Sequence, residues 1–488
     1  MRAKLFKGMK WVVALLAASL LTVLALRAWD SRTGPPLQLW HTFVPDDVTS
    51  REIAAMDWAG YMAAEQRVFE QVRQNVTLKL NDGPPDMANR YFEGSAIYPG
   101  RFRKDWNRSF VLEPAGEIKG AVVMLHGMTD APYSMRNIGR HYQQRGFVAI
   151  AVRAPGHGTV PAGLANVHWE DWDAATRLGV REAVRRAGAD KPLHIVGFSN
   201  GAALAMNYVL DALDEPALKR VDRVVLLSPM IGVTEMARFA GVLGWPAAMP
   251  AFARASWLGI VPEFNPFKYN SFPINGARQS SLLTRHLQAR ITQHVRSNGL
   301  ADLPPVLTFQ SVVDFTVSTR AVVNTLYGPL PANGSELVLF DLNRSVKFGP
   351  FLRVNPDTTL ARLMPDPPRN YRTGLITNVG PETAEVAERR VDAGSRAEAT
   401  RKLGIDYPFE VYSLSHVALP FPLSDSLYGM RPSESDEQFG VQLGALAVRG
   451  ERGALLLTLD SLIRMSSNPF YDYMIERIDA GIVGTKTP

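Results

Sequence analysis

No cysteine occurs among the 488 residues. Disulfides, thiolate metal sites and a cysteine nucleophile are therefore excluded. The chain also lacks H-E-x-x-H, a Walker A loop and a dinucleotide-type G-x-G-x-x-G, which argues against a metallopeptidase, a nucleotide hydrolase and a Rossmann oxidoreductase. Positive charge is scarce where a nucleic-acid partner would need it. Five of the net +6 charges (Arg2, Lys4, Lys7, Lys10 and Arg27) lie in the first 27 residues, where no acid occurs. The remainder is close to neutral and carries no basic stripe with interleaved aromatics, so no nucleic-acid partner is expected. No internal repeat or low-complexity tract is visible.

What the chain does have is a 46% hydrophobic composition, enough to bury a full core. Its longest apolar run, WVVALLAASLLTVLAL at residues 11–26, follows a basic n-region. That pattern is expected to be a membrane-targeting segment over residues 1–30, with the rest of the chain on the non-cytoplasmic side. The run is short for a span, and Val23-Leu24-Ala25 is a mediocre cleavage site. The expectation is a retained signal anchor and transmembrane helix, with secretion as the outcome if the segment is cleaved.

Residues 31–108 read as an extension with one helical signal, Thr49 and Glu52 at capping-box spacing ahead of IAAMDWAGYMAAEQRVFEQVRQ. From Ser109 the rhythm changes to short β-rich runs (SFVLEP, GAVVMLH, FVAIAV, LHIVG, VDRVVLLS and PVLTFQ) separated by helical stretches or longer insertions. Near-continuous apolar strands joined by crossovers predict an α/β fold whose mostly parallel sheet is buried on both faces. Two segments break the spacing. Residues 231–302 are rich in aromatics, among them Trp245, Phe252, Trp257, Phe264, Phe267 and Tyr269, and are expected to form a cap or lid between core halves at 109–230 and 303–488. The second insertion, residues 344–407, includes AEVAERRVDAGSRAEATRKLG, which reads as a charged surface helix.

Ser199 stands in GFSNG, between LHIVG and AALAMNYVLDAL. A lone G-x-S-x-G match arises often by chance, but a strand leading in and a helix leading out is the context of a nucleophile elbow. A serine hydroxyl needs a base to take its proton and an acid to orient that base. His286 and His294 lie on an expected amphipathic helix, where a packed or solvated histidine is the commoner case. His416, in PFEVYSLSHVALPF, follows a β-rich run and precedes a proline, and is the expected base. For the acid, Asp314 follows a strand by a short loop, and Asp341 at the end of SELVLFD competes with it. Oxyanion donors are expected from the backbone N–H groups of Asn200 and, in MLHGMTDAPYSM, Met128. His126 is expected to be structural.

Taken together, HGMTDAPYSM, RAPGHGTVPAGL with HWEDW after it, GFSNGAA, an aspartate after a late strand and SHVALPF resemble the α/β-hydrolase superfamily, in its carboxylesterase, monoacylglycerol lipase and lysophospholipase-like branch. The resemblance covers residues 109–230 well and 303–430 in pieces. It implies an α/β-hydrolase fold and a serine hydrolase acting through an acyl-enzyme on a small-molecule or lipid ester, without a cofactor. Ser199, Asp314 and His416 are carried over as the triad, and His157 only as a structural residue. An aminopeptidase or amidase on the same fold is the alternative, for which Glu235 and Glu263 are the only acids between 229 and 300. A catalytically silent binding module is the other.

Overall fold

The computed structural model describes residues 2–232, 250–297, 299–345, 356–446, 464 and 466–482. Twelve strands occur among them: β1 (Phe110–Leu112), β2 (Gly120–Leu125), β3 (Phe147–Val152), β4 (Leu193–Phe198), β5 (Arg223–Leu227), β6 (Trp257–Gly259), β7 (Phe272–Pro273), β8 (Val306–Ser311), β9 (Glu336–Phe340), β10 (Arg372–Asn378), β11 (Glu385–Val391) and β12 (Glu398–Asp406). Ten of them build one sheet in the order β1-β3-β2-β4-β5-β8-β9-β10-β11-β12. The pairings from β3 through β10 are parallel. β1 at one edge and the β11–β12 hairpin at the other run antiparallel. β6 and β7 form a separate small pair.

Successive side chains of the central strands enter opposite layers, as the two-residue repeat of a strand requires. Leu125, Ile195 and Leu226 pack with Trp172, Leu204 and Leu283 from the helices Trp169–Ala187, Asn200–Asp214 and Ile274–Arg296. Their neighbours Met124, Val196 and Leu227 pack on the other face with Ile138 and Met474, from the helices Arg136–Gln144 and Tyr471–Ile482. Covering both faces is what lets these strands be apolar throughout.

The expected surface helix in the second insertion is instead β11 and β12, joined by a turn in which Gly394 has φ +75°. High helix propensity of Ala, Glu and Arg is overridden by pairing across the hairpin. Arg389 Nε and Nη2 donate to Glu398 at 2.8 and 3.0 Å, and Lys402 Nζ donates to Glu385 at 2.9 Å. Asp392-Ala393-Gly394-Ser395 was the available turn signal.

The N-terminal segment also departs from expectation. Residues Arg2–Thr33 form one helix, but among the described residues no helix is long and apolar enough to cross a membrane. This overturns the transmembrane signal anchor and the non-cytoplasmic placement inferred from it. Length is the physical reason: residues 11–26 at 1.5 Å per residue extend about 24 Å, short of a hydrocarbon core of about 30 Å.

The extension that follows is tied to the sheet by charge. Thr49 caps the helix Ser50–Ala54, its N–H donating to Glu52 at 2.8 Å, and a second helix, Trp58–Val72, starts at the Asp57 cap. Arg153, just beyond β3, is fully buried and donates from Nη1 and Nη2 to Asp47 at 2.8 and 3.0 Å and from Nε to Glu65 at 3.0 Å. Gly156 N–H adds a bond to Asp47, and Tyr61 donates to the Arg153 carbonyl. Removing one partner of a buried pair leaves an uncompensated charge. Asp47→Ala is therefore expected to cost about 3 kcal/mol or more and to lower the thermal midpoint clearly; differential scanning calorimetry checks this, and an unshifted midpoint would show that the cluster does not hold the extension.

Candidate active site

Three residues other than glycine take positive φ among the described residues: Thr129 (63°), Ser199 (54°) and Ser228 (41°). They follow β2, β4 and β5 at the same edge of the sheet. Strain concentrated this way is stored where a site is built. Ser199 sits between β4 and the helix Asn200–Asp214, its N–H donating to the Leu227 carbonyl at 2.9 Å. Its carbonyl accepts from Ala202 and Met230 at 3.1 Å each.

The flanking glycines are there because nothing larger fits. A Cβ at Gly197 would lie 2.4 Å from Ala202 Cα, and one at Gly201 would lie 2.2 Å from the Leu125 carbonyl oxygen and 2.5 Å from that of His126. The helix start can thus press against the end of β2, and the loop after β2 is brought up to Ser199. At Gly127 a Cβ would stand 3.3 Å from Ser199 Cβ.

His126 secures that loop. One ring nitrogen, Nδ1, lies 2.9 Å from the Gly127 carbonyl and the other accepts from Ala154 N–H at 3.1 Å, which makes Nδ1 the protonated one. Burial lowers its pKa to about 4. His157, whose ring meets that of His126 edge-on at 5.0 Å, is pushed well below the usual range by burial and by His126. Both rings stay neutral and act as packing and staples. His286 meets Trp169, and His294 Nε2 lies 3.3 Å from Asp214.

His416 opens a short turn of helix, His416–Ala418, and its Nδ1 lies 2.9 Å from Asp314 Oδ2. Asp314 also accepts from Thr316 N–H (2.7 Å), Val317 N–H (3.0 Å) and Gln310 Nε2 (3.1 Å). Burial alone would raise its carboxyl; the facing imidazole and these backbone donors carry it below the usual range. Asp341 is engaged elsewhere, accepting from Arg344 Nε at 2.6 Å and Thr377 Oγ1 at 2.9 Å. Ser199, His416, Gly127 and Met128 line one cavity of about 390 Å³. Asn200, the first residue of its helix, has a backbone N–H with no intrahelical acceptor.

The segment at 250–297 closes round this cavity with Tyr269, Asn270, Phe272, Ala277 and Ser280. Of the expected cap aromatics, Trp257, Phe267 and Tyr269 are buried, Phe264 is half-buried, and Trp245 lies outside the described residues, as does Glu235. Two contacts had no sequence signal. The Asn200 side chain is buried and accepts from Ser280 at 3.1 Å, joining the elbow to the helix Ile274–Arg296. Glu263 accepts from the N–H groups of Asn270 and Ser271 at 3.0 and 2.8 Å and folds the cavity-lining loop.

The family described as serine aminopeptidase, S33, matches residues 116–295. A thermostable monoacylglycerol lipase of Bacillus sp. (strain H-257) is 26% identical over 128 residues, which is 25% of this chain and 50% of that protein. A carboxylesterase of Bacillus subtilis (strain 168) is 25% identical over 223 residues, 45% of this chain and 82% of that one. Among solved structures, one from a study of the metagenome-derived lipolytic enzymes LipS and LipT is 20% identical with a TM-score of 0.37, covering 49% of this chain and 88% of its own. The parallel sheet with helices on both faces is an α/β-hydrolase fold, and over part of its length the chain is similar to a named lipase and a named carboxylesterase. The match to the monoacylglycerol lipase spans half of that relative's length.

Two outcomes test the construction of this α/β-hydrolase site. Gly201→Ala is expected to destabilise the protein by about 2 kcal/mol or more, because backbone carbonyls must move; a denaturation midpoint equal to wild type would mean the elbow is loosely packed. Burial raises Glu263 to about 7 from 4.5. A raised folded pKa contributes stability that is complete below the unfolded value and lost as pH rises through the folded one. Between pH 4.5 and 7 the protein should therefore lose on the order of 3 kcal/mol from this group. Glu263→Gln should flatten that part of the stability profile in urea titrations at stepped pH.

Proposed function

We propose that this α/β-hydrolase cleaves carboxylic esters by acyl transfer to Ser199, with His416 as base and Asp314 as its orienting acid. The reading rests above all on one observation: the imidazole bonded to Asp314 lines the same cavity as a serine held at positive φ on a glycine-flanked turn. In this mechanism His416 Nε2 takes the Ser199 proton as Oγ attacks the ester carbon, and Asp314 steadies the imidazolium through Nδ1–H. The backbone N–H groups of Met128 and Asn200 receive the oxyanion. Collapse of the tetrahedral intermediate breaks the bond to the alcohol, which leaves with the proton from His416. Water then repeats the sequence, releasing the acid and restoring Ser199.

The curated relatives, named as a monoacylglycerol lipase and a carboxylesterase, favour ester cleavage. The aminopeptidase alternative needs an acid placed for a free amine. Glu263 is committed to backbone N–H groups, and Asp130, the one acid lining the cavity among the described residues, shares that lining with Lys268 and Arg464, which repel an ammonium. A silent scaffold would have no reason to hold a strained serine beside a buried histidine–carboxylate pair.

Turnover of short 4-nitrophenyl esters is the direct test. Ser199→Ala should lose at least about 10³-fold in kcat and all labelling by a fluorophosphonate probe, and Asp314→Asn about 10²- to 10⁴-fold. Asp341→Asn, whose carboxylate serves Arg344, should keep the activity of the folded protein within a few-fold. Labelling that survives Ser199→Ala would end the assignment.

A further inference from the structure

The cavity that holds Ser199 and His416 does not stand alone. A second chamber of about 410 Å³ adjoins it, with Phe264, Phe421, Tyr428 and Leu443 among its walls. Residues lining both include Asp130, Lys268, Tyr269, Asn270 and Arg464, so among the described residues two cations and one acid mark their junction. Lys268 is half-buried, and among the described residues it forms no hydrogen bond and no ion pair. Arg464 reaches the junction with one bond, Nη2 to Thr316 Oγ1 at 3.3 Å. Asp130 is buried and accepts from its neighbour Ala131 N–H at 2.9 Å, not from Lys268.

A half-buried ammonium with no acceptor among the described residues keeps its donors open to a ligand in the cavity. Among the described residues two cations, half-buried Lys268 and exposed Arg464, stand at the junction against one carboxylate, and a charge-assisted bond to an anion there is stronger than a neutral one. Both the aromatic chamber and the ester cavity are within reach of a single small amphiphile.

Resting on the ester-cleaving reading above, we propose that the substrate is an anionic ester, carrying a carboxylate or phosphate a few methylenes from the scissile carbonyl, and that Lys268 with Arg464 binds this anion. Lys268 is then a specificity-determining residue. It selects charged esters over neutral ones of equal length, while Asp130 keeps the junction from accumulating a larger positive charge. Carboxylate and phosphate share the chemistry that the two cations recognise.

Two matched pairs decide the matter. Ethyl hexanoate and monoethyl adipate differ only by a terminal carboxylate on the acyl side; 1-butyrylglycerol and its 3-phosphate differ by a phosphate on the alcohol side. Wild-type kcat/KM should favour the anionic member of at least one pair by about tenfold or more, and which pair responds identifies the anion. In Lys268→Met that ratio should fall to about one. A wild-type ratio of one or less in both pairs, or a ratio unmoved by Lys268→Met, overturns the proposal while leaving the ester reading intact. A binding arm separates the two ideas further. Calorimetry of adipate and of glycerol 3-phosphate with Ser199→Ala should show binding that the double variant with Lys268→Met loses. Such binding in a protein that cleaves no ester would support the anion site and sink the ester-cleaving reading; neither binding nor cleavage would sink both.

Discussion

Everything at the catalytic edge depends on how closely the helix Asn200–Asp214 approaches the ends of β2 and β4. Hydrogen in place of a side chain at Gly197 lets Ala202 of the helix come up against β4, and at Gly201 it lets the helix start come within contact of the Leu125 and His126 carbonyls. That contact forces the reversal of direction at Ser199 and its positive φ. It also brings the Gly127-Met128 loop to the serine, since the loop begins at the strand end against which the helix presses. A site of this kind is positioned by backbone packing, and its side chains inherit their places from it.

Support then comes from groups that never touch the reacting atoms. His126 pins the loop after β2 to the chain leaving β3 by accepting from Ala154 N–H, and the residue before that donor, the fully buried Arg153, collects Asp47 and Glu65 from the extension. Trp172 donates to the Pro155 carbonyl at 3.0 Å and closes the same corner from the helix below. The N-terminal extension is thereby part of the scaffold of the loop that follows β3. Its acids satisfy a charge that a bare hydrolase core would have to leave buried and alone.

The core was legible because its signals are local. β3 spans the apolar run FVAIAV itself, and β2, β4, β5, β8 and β9 differ from their runs by a residue or two at the ends. G-x-S-x-G could be read in context since strand and helix lie immediately on either side. The rest depends on contacts distant in sequence. His416 meets Asp314 across 102 residues, and the intervening stretch adds four strands to the sheet. Its charged Ala-Glu-Arg composition resembles an exposed helix until the partner strand is known. The membrane expectation failed for a different reason, because a basic flank and an apolar run give the character of a targeting segment without its length. Lys268, Asn200's side chain and the Glu263 cradle carry no motif at all; each is defined by what folds round it.

Two aspartates in the same cavity region show how environment assigns chemistry to identical side chains. Asp314 is buried, yet four donors surround it (His416, Gln310 and the N–H groups of Thr316 and Val317), and its carboxyl lies below the usual range. Asp130 is as deeply buried but has Ala131 N–H, Ser134 and the more distant charge of Lys268, so desolvation wins and raises it to about 6. The first is fixed as an anion throughout neutral pH and suits the partner of an imidazolium. The second, lifted to about 6, gives up its charge at a higher pH than the first. Burial acts on both members of the nearest pair at the junction, raising Asp130 and lowering Lys268, so each holds its charge less firmly than Asp314 does within the walls that also hold the serine.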